Sequence, residues 1–149
     1  MGSQFAPASP SLISTAVAST PAQADHSRFV QRIRRRYGDE LHRLAPGLPR
    51  REVMHALVLQ LAAEGRTLGS AMRVTRQLVL ERLAVLDIEQ AAAMPDITLA
   101  MTELAETTLD LALAHARTEQ DARFGVPLNE AGERIDFWVV GMASSARAS

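Results

Sequence analysis

Arg134-Ile-Asp-Phe-Trp-Val-Val-Gly-Met142 is the stretch on which the fold of this chain turns. A β-branched and aromatic run broken by a glycine predicts a buried strand entering a tight loop. In α/β folds such a junction is where backbone amides meet a phosphate group. Here only Ala143-Ser-Ser-Ala-Arg-Ala-Ser149 follows, with no partner strand, no further helix and no acidic pair to hold a metal. Ile135, Phe137, Trp138, Val139 and Val140 are therefore expected to leave their backbone hydrogen bonds to water, and their apolar surface open or packed on nearby helices. The strand is read as a remnant of an α/β domain, and the folded body lies upstream of it.

Upstream, the apolar spacing is helical throughout. Residues 126–133 form a connector. Before it, Ile97, Met101, Leu104, Thr108, Leu111 and His115 keep heptad-like spacing on a long helix predicted from Pro95-Asp96 to Phe124-Gly125, with His115 a partly buried rim residue rather than a ligand. A helix from Gly69-Ser70 to Ile88 is apolar on nearly two sides, through Val74, Leu78, Val85 and Ile88 and through Met72, Val79, Leu83 and Leu86. That pattern suits an inner helix touched by several neighbours. A shorter helix, with Pro49 in its first turn and Gly65 closing it after Glu64, buries Val53, Met54, Leu57, Val58 and Leu61. The first helix is predicted from an Asp25 cap to about Ala45, with Phe29, Ile33, Tyr37, Leu41 and Leu44 on one face and Gly38 weakening its middle. The fold class is all-α, a four-helix-like module, with one C-terminal β-strand left over from an α/β domain.

Composition sets the outer limits. The 149 residues are 47% hydrophobic and 22% charged, as in ordinary globular proteins, and cysteine is absent. That excludes disulfides, thiolate metal sites and a cysteine nucleophile, and it agrees with a cytoplasmic address. Residues 1–24 carry no charged side chain and are rich in Ala, Ser, Thr and Pro, so they are expected to be a disordered leader lacking the basic start of a signal peptide. No stretch approaches the roughly 20 apolar residues of a membrane span. The net charge of -1 argues against general nucleic-acid binding and conceals an asymmetry. Residues 25–51 hold eight arginines against three acids, whereas residues 87–136 hold eleven acids against three arginines. Arg28, Arg32, Arg35, Arg36 and Arg43 fall off the apolar stripe of the first helix and are candidate contact points for a phosphate or an acidic partner; the competing reading is a solvated helix side. No aromatic interleaves with them in the manner of base stacking. His42 and His55 lie on different helices with no carboxylate or histidine at i+3 or i+4, which does not make a metal site.

The order of these signals resembles a known family. Arg73-Val-Thr-Arg76, Leu83-Ala-Val-Leu-Asp-Ile88, Met101-Thr-Glu-Leu-Ala-Glu106, Ala122-Arg-Phe-Gly-Val-Pro127 and Phe137-Trp-Val-Val-Gly-Met142 together resemble the N-terminal part of the bacterial bifunctional glutamine synthetase adenylyltransferase/adenylyl-removing enzymes. The resemblance covers residues 73–142, and residues 25–72 fit the more variable helical leader of that family. It implies nucleotidyl transfer of AMP to and from glutamine synthetase in nitrogen regulation, ATP and Mg²⁺ as cofactors, and glutamine synthetase and a PII signalling protein as partners. In the family the strand runs into Gly-Lys-Leu-Gly, and a Ser-Ser-Asp-hydrophobic-Asp run follows, whose aspartates hold the metal that clamps the attacking and leaving oxygens. This chain keeps Gly141-Met142, so Gly141 is the one candidate cofactor-binding remnant, and departs at the next residue.

The departure has a simple candidate origin. One base deleted from GC-rich codons for Gly-Lys-Leu-Gly-Ala-Arg-Glu-Leu yields Ala-Ser-Ser-Ala-Arg-Ala-Ser, which is the whole of residues 143–149. The expected organisation is a leader over 1–24, a helical module over 25–125, a connector and first strand of a truncated nucleotidyltransferase domain over 126–142, and an out-of-frame tail over 143–149. No catalytic residue, metal ligand or bound cofactor is expected in this chain alone. The alternative function is a non-catalytic protein-binding module that uses its arginine-rich helices.

Overall fold

A computed structural model describes residues 23–139, which are mainly helical as far as Phe124 and non-helical from Gly125 on. A single 3-10 turn, Ala24–His26, leads into α1, Arg28–Tyr37, which passes at Gly38 into a 3-10 segment, Gly38–Arg43. Then come α2, Arg51–Ala63, α3, Leu68–Gln90, and α4, Met94–Phe124. The expected leader over 1–24, except its last two residues, lies outside the described residues, as do Val140, Gly141, Met142 and the tail over 143–149.

The ends of these helices follow local chemistry, with corrections to the sequence reading. The α1 cap is Ser27, whose hydroxyl accepts from the Val30 amide, and not Asp25, whose carboxylate instead reaches Arg34. The first helix changes type at Gly38 rather than continuing to Ala45, because glycine gives α-helix little support. Pro49 is buried just outside α2, which opens at Arg51. Arg50 supplies no side-chain cap there, and the Glu103 carboxylate of α4 accepts from the Arg51 amide at 3.0 Å instead. Gly65, at φ +97°, closes α2 as expected, with the Arg66 amide reaching back to the Leu61 carbonyl at 3.2 Å. Thr67 caps α3 through the Ser70 amide. Proline in its first turn begins α4.

The core lies where α3 meets the other three helices. Its fully covered side chains are Met54, Leu57, Val58 and Leu61 of α2, Ala71, Val74, Leu78, Val79, Leu83 and Leu86 of α3, and Ala100 and Leu104 of α4, with Leu44 from the loop. Burial of each large side chain contributes roughly 1.5–3 kcal/mol. The inner-helix reading of α3 holds, since Val74, Leu78, Val79, Leu83 and Leu86 are buried and Met72, Val85 and Ile88 are partly covered. Three other assignments do not. Phe29 is 36% and Val53 41% exposed, Val30 being the side chain that α1 buries in place of Phe29. His115 is exposed, because nothing in α4 beyond Thr107 is fully buried and Leu111 is the last of its side chains to pack against the core.

The predicted C-terminal strand is not formed over the described residues. Its one β pairing is an isolated antiparallel bridge between Leu128 and Arg134, closed by a turn in which the Asn129 side chain accepts from the Ala131 and Glu133 amides. The Ile135 amide still reaches the Pro127 carbonyl. A strand is defined by a ladder to a neighbour, and no second strand exists among the described residues. Phe137, Trp138 and Val139 accordingly stand exposed, Trp138 at 83%.

Candidate functional site

Two surfaces gather charged side chains, and their construction decides what each can do. The first is an open groove of about 520 Å³ where the C-terminal segment lies along the projecting half of α4. Arg51, at the start of α2, faces Glu106 and Asp110, one turn apart on α4, hydrogen-bonding Glu106 at 2.8 Å and pairing with Asp110. Two turns further on, Arg117 donates to the Asp136 carboxylate at 3.1 Å and to the Ile135 carbonyl at 3.3 Å, with its guanidinium over the Phe137 ring. Arg134 likewise pairs with Asp121. Each carboxylate in the groove therefore already has a guanidinium. Among the described residues no three His, Asp or Glu side chains converge as metal ligands would. The described residues thus offer no arrangement that fits the metal implied by the family resemblance.

The second surface is the outer face of α1. Arg28, Arg32, Arg35 and Arg36 are exposed, and none of them meets a carboxylate of the described residues within ion-pair range. Arg43, the fifth candidate, does not join them. It hydrogen-bonds Glu64 at 2.8 Å and lies 3.8 Å from Glu40, which Arg66 also holds at 2.7 Å. This network fastens the 3-10 segment to the end of α2. Sequence reasoning missed Arg34, which sits among these arginines but turns inward to Glu81, a buried α3 carboxylate, at 2.7 Å. The partners are 47 residues apart, so no local pattern marks them. Burial alone lowers the pKa of Arg34, yet the hydrogen bond to Glu81 and the charges of Glu81 and Asp25 raise it above its ordinary value. Between α1 and α3 a cleft of about 200 Å³ is lined by Arg32, Ile33, Arg36, Tyr37 and Gln77. His42, His55 and His115 are exposed and scattered, His115 lying 3.7 Å from Glu119.

The Arg43–Glu64 pair yields a pH prediction. The Arg43 hydrogen bond holds the Glu64 carboxyl below its ordinary range, outweighing desolvation, which pushes the other way. In the window between the depressed folded pKa and the ordinary one, the unfolded chain binds more protons. The contribution of Glu64 is thus present above that window and is lost as pH falls through it. Thermal melting of Glu64→Gln is expected to show a shallower decline on acidification than the parent chain, and parallel declines would contradict the assignment.

Residues 13–145 match the family described as glutamate-ammonia ligase adenylyltransferase. The match extends upstream of the residues that carried the sequence resemblance and enters the stretch read as leader. Two curated relatives, the bifunctional glutamine synthetase adenylyltransferase/adenylyl-removing enzymes of Burkholderia mallei and Burkholderia pseudomallei, are each 36% identical over 75 residues. That alignment covers 50% of this chain and 8% of either relative. No solved structure matches. No described helix is long and apolar enough to cross a membrane.

Proposed function

The chain belongs to the glutamate-ammonia ligase adenylyltransferase family, and on that footing we propose that it is a helical piece of a nucleotidyl-transfer enzyme with no catalysis of its own. The whole enzyme would move AMP onto and off glutamine synthetase in the cytoplasm, with ATP and Mg²⁺ as cofactors and a PII protein as signalling partner. The observation that carries the reading is the pairing of the groove carboxylates. Glu106, Asp110 and Asp136 are each paired with an arginine, and among the described residues no three His, Asp or Glu side chains converge as metal ligands would. In-line phosphoryl chemistry without metal ligands loses the electrostatic stabilisation that supplies most of its rate. In this reading residues 25–125 are the helical module and residues 126–142 the entry to the catalytic domain.

The purified chain is expected to release neither AMP nor ADP from adenylylated glutamine synthetase above the buffer rate, with Mg²⁺ and phosphate present. Metal-dependent release that scales with the amount of chain would overturn the proposal.

A second reading, a binding module, is favoured by the four arginines of α1 that have no internal carboxylate. It predicts capture of glutamine synthetase or of a PII protein at low salt and loss of capture at high salt. Failure of capture under both conditions removes it.

A further inference from the structure

We propose that the α1–α3 cleft is a binding site for a small phosphate-bearing anion, held chiefly by Arg32 and Arg36. The proposal is independent of the catalytic reading and more specific than a general basic contact face.

Arg32 and Arg36 are one helical turn apart, which places their Cβ atoms about 6 Å from each other. At that spacing two guanidinium forks can converge on one tetrahedral oxyanion. Neither side chain hangs loose. The Arg32 guanidinium lies 5.8 Å from the centre of the Phe29 ring, and that of Arg36 lies 5.4 Å from the centre of the Tyr37 ring. Rings placed in this way hold the two cations before a ligand arrives and reduce the ordering cost of binding. They also give Phe29, which the core does not cover, a local role.

The remaining walls suit the same ligand. Ile33, at 2% exposure, forms the floor, and Gln77 of α3 closes the far side with an amide able to donate. The buried carboxylate of this region, Glu81, is taken by Arg34, and so is the exposed Asp25. Nothing negative among the described residues therefore balances Arg32 and Arg36, and Arg28 and Arg35 on adjoining turns add to the local potential. A recess of about 200 Å³ is smaller than the ~300–1,000 Å³ of drug-sized sites. It admits a phosphate or diphosphate group but not the face of a helix, which is why a phosphate-bearing small molecule is favoured over an acidic protein surface.

The test titrates the full 149-residue chain with pyrophosphate at constant ionic strength, followed by calorimetry and by amide shifts, with hexaglutamate as the competing probe. Saturable pyrophosphate binding is expected, with shifts centred on residues 32–37 and on Gln77. The R32Q/R36Q double variant should lose about tenfold or more in affinity. R28Q/R35Q, on the same helix but outside the cleft, should lose less than about threefold, and R123Q, far away on α4, should lose nothing. Q77L should weaken binding from the opposite helix, with no change in charge. All these positions are at or near the surface, so unchanged melting curves will confirm that the variants fold. Equal losses for R32Q/R36Q and R28Q/R35Q, no saturable binding at low salt, or tighter binding of hexaglutamate than of pyrophosphate would each overturn the proposal. The last of these would instead favour the protein-contact reading.

Discussion

Leu78→Ala is expected to lower the free energy of unfolding by about 2–5 kcal/mol. Leu78 is 1% exposed near the middle of α3, the helix that touches α1, α2 and α4. The loss combines the transfer energy of the deleted carbons with a cavity that three neighbouring helices cannot all close together. The effect is large against the whole. At roughly 0.05–0.15 kcal/mol per residue, about a hundred ordered residues are stabilised by only some 5–15 kcal/mol. Urea unfolding should show a lower midpoint with an unchanged slope. An exposed apolar control on the projecting half of α4, Leu109→Ala, should change little, since Leu109 is 47% exposed. Equal effects at the two positions would mean that α3 is not the inner helix.

Arg34→Met is expected to cost about 1–3 kcal/mol, although it removes a charge from an arginine-rich helix. Glu81 is 4% exposed and Arg34 is its only ion-pair partner among the described residues, so the substitution leaves a buried carboxylate without its counter-charge. A fully buried pair would lose more. The Arg34 side chain is 33% exposed, and solvent screening discounts the figure. The double variant Arg34→Met with Glu81→Leu should recover most of the loss, because it removes both charges together. If the double variant is no more stable than the single one, Glu81 does not depend on Arg34. Arg35→Met, one residue along and exposed, should be nearly neutral.

The helical body was largely legible in the residues. Apolar side chains three and four apart mark a helix whatever it packs against, so α2, α3 and α4 were placed within a few residues of their ends. Helix caps were less legible. Both Asp25 and Ser27 can cap α1, and the choice rests on Arg34, which draws the Asp25 carboxylate away. The start of α2 depends on Glu103, 52 residues further along the chain. Exposure of Phe29, Val53 and His115 was misread because periodicity shows that a face is apolar without showing that a neighbour covers it. The sequence groups Arg28, Arg32, Arg35, Arg36 and Arg43 as one set of contact points. The structure leaves four of these on the surface of α1, ties Arg43 to Glu64, and turns Arg34, which was not in the set, inward to Glu81.

Family membership and the separation of a helical body from a β-prone end were determined by the sequence alone, since both are carried by residue types at short spacings. Whether Arg134–Val139 forms a strand, and which arginines remain available to a ligand, was decided only by tertiary structure. The reason is the range of the interactions. A helix closes its own hydrogen bonds within four residues, whereas a strand needs a second strand and an ion pair needs a partner that the fold must bring from tens of residues away. In this chain the partner strand is absent among the described residues and the distant carboxylates are present, so the end stays unpaired while Arg34, Arg51 and Arg117 are claimed from within.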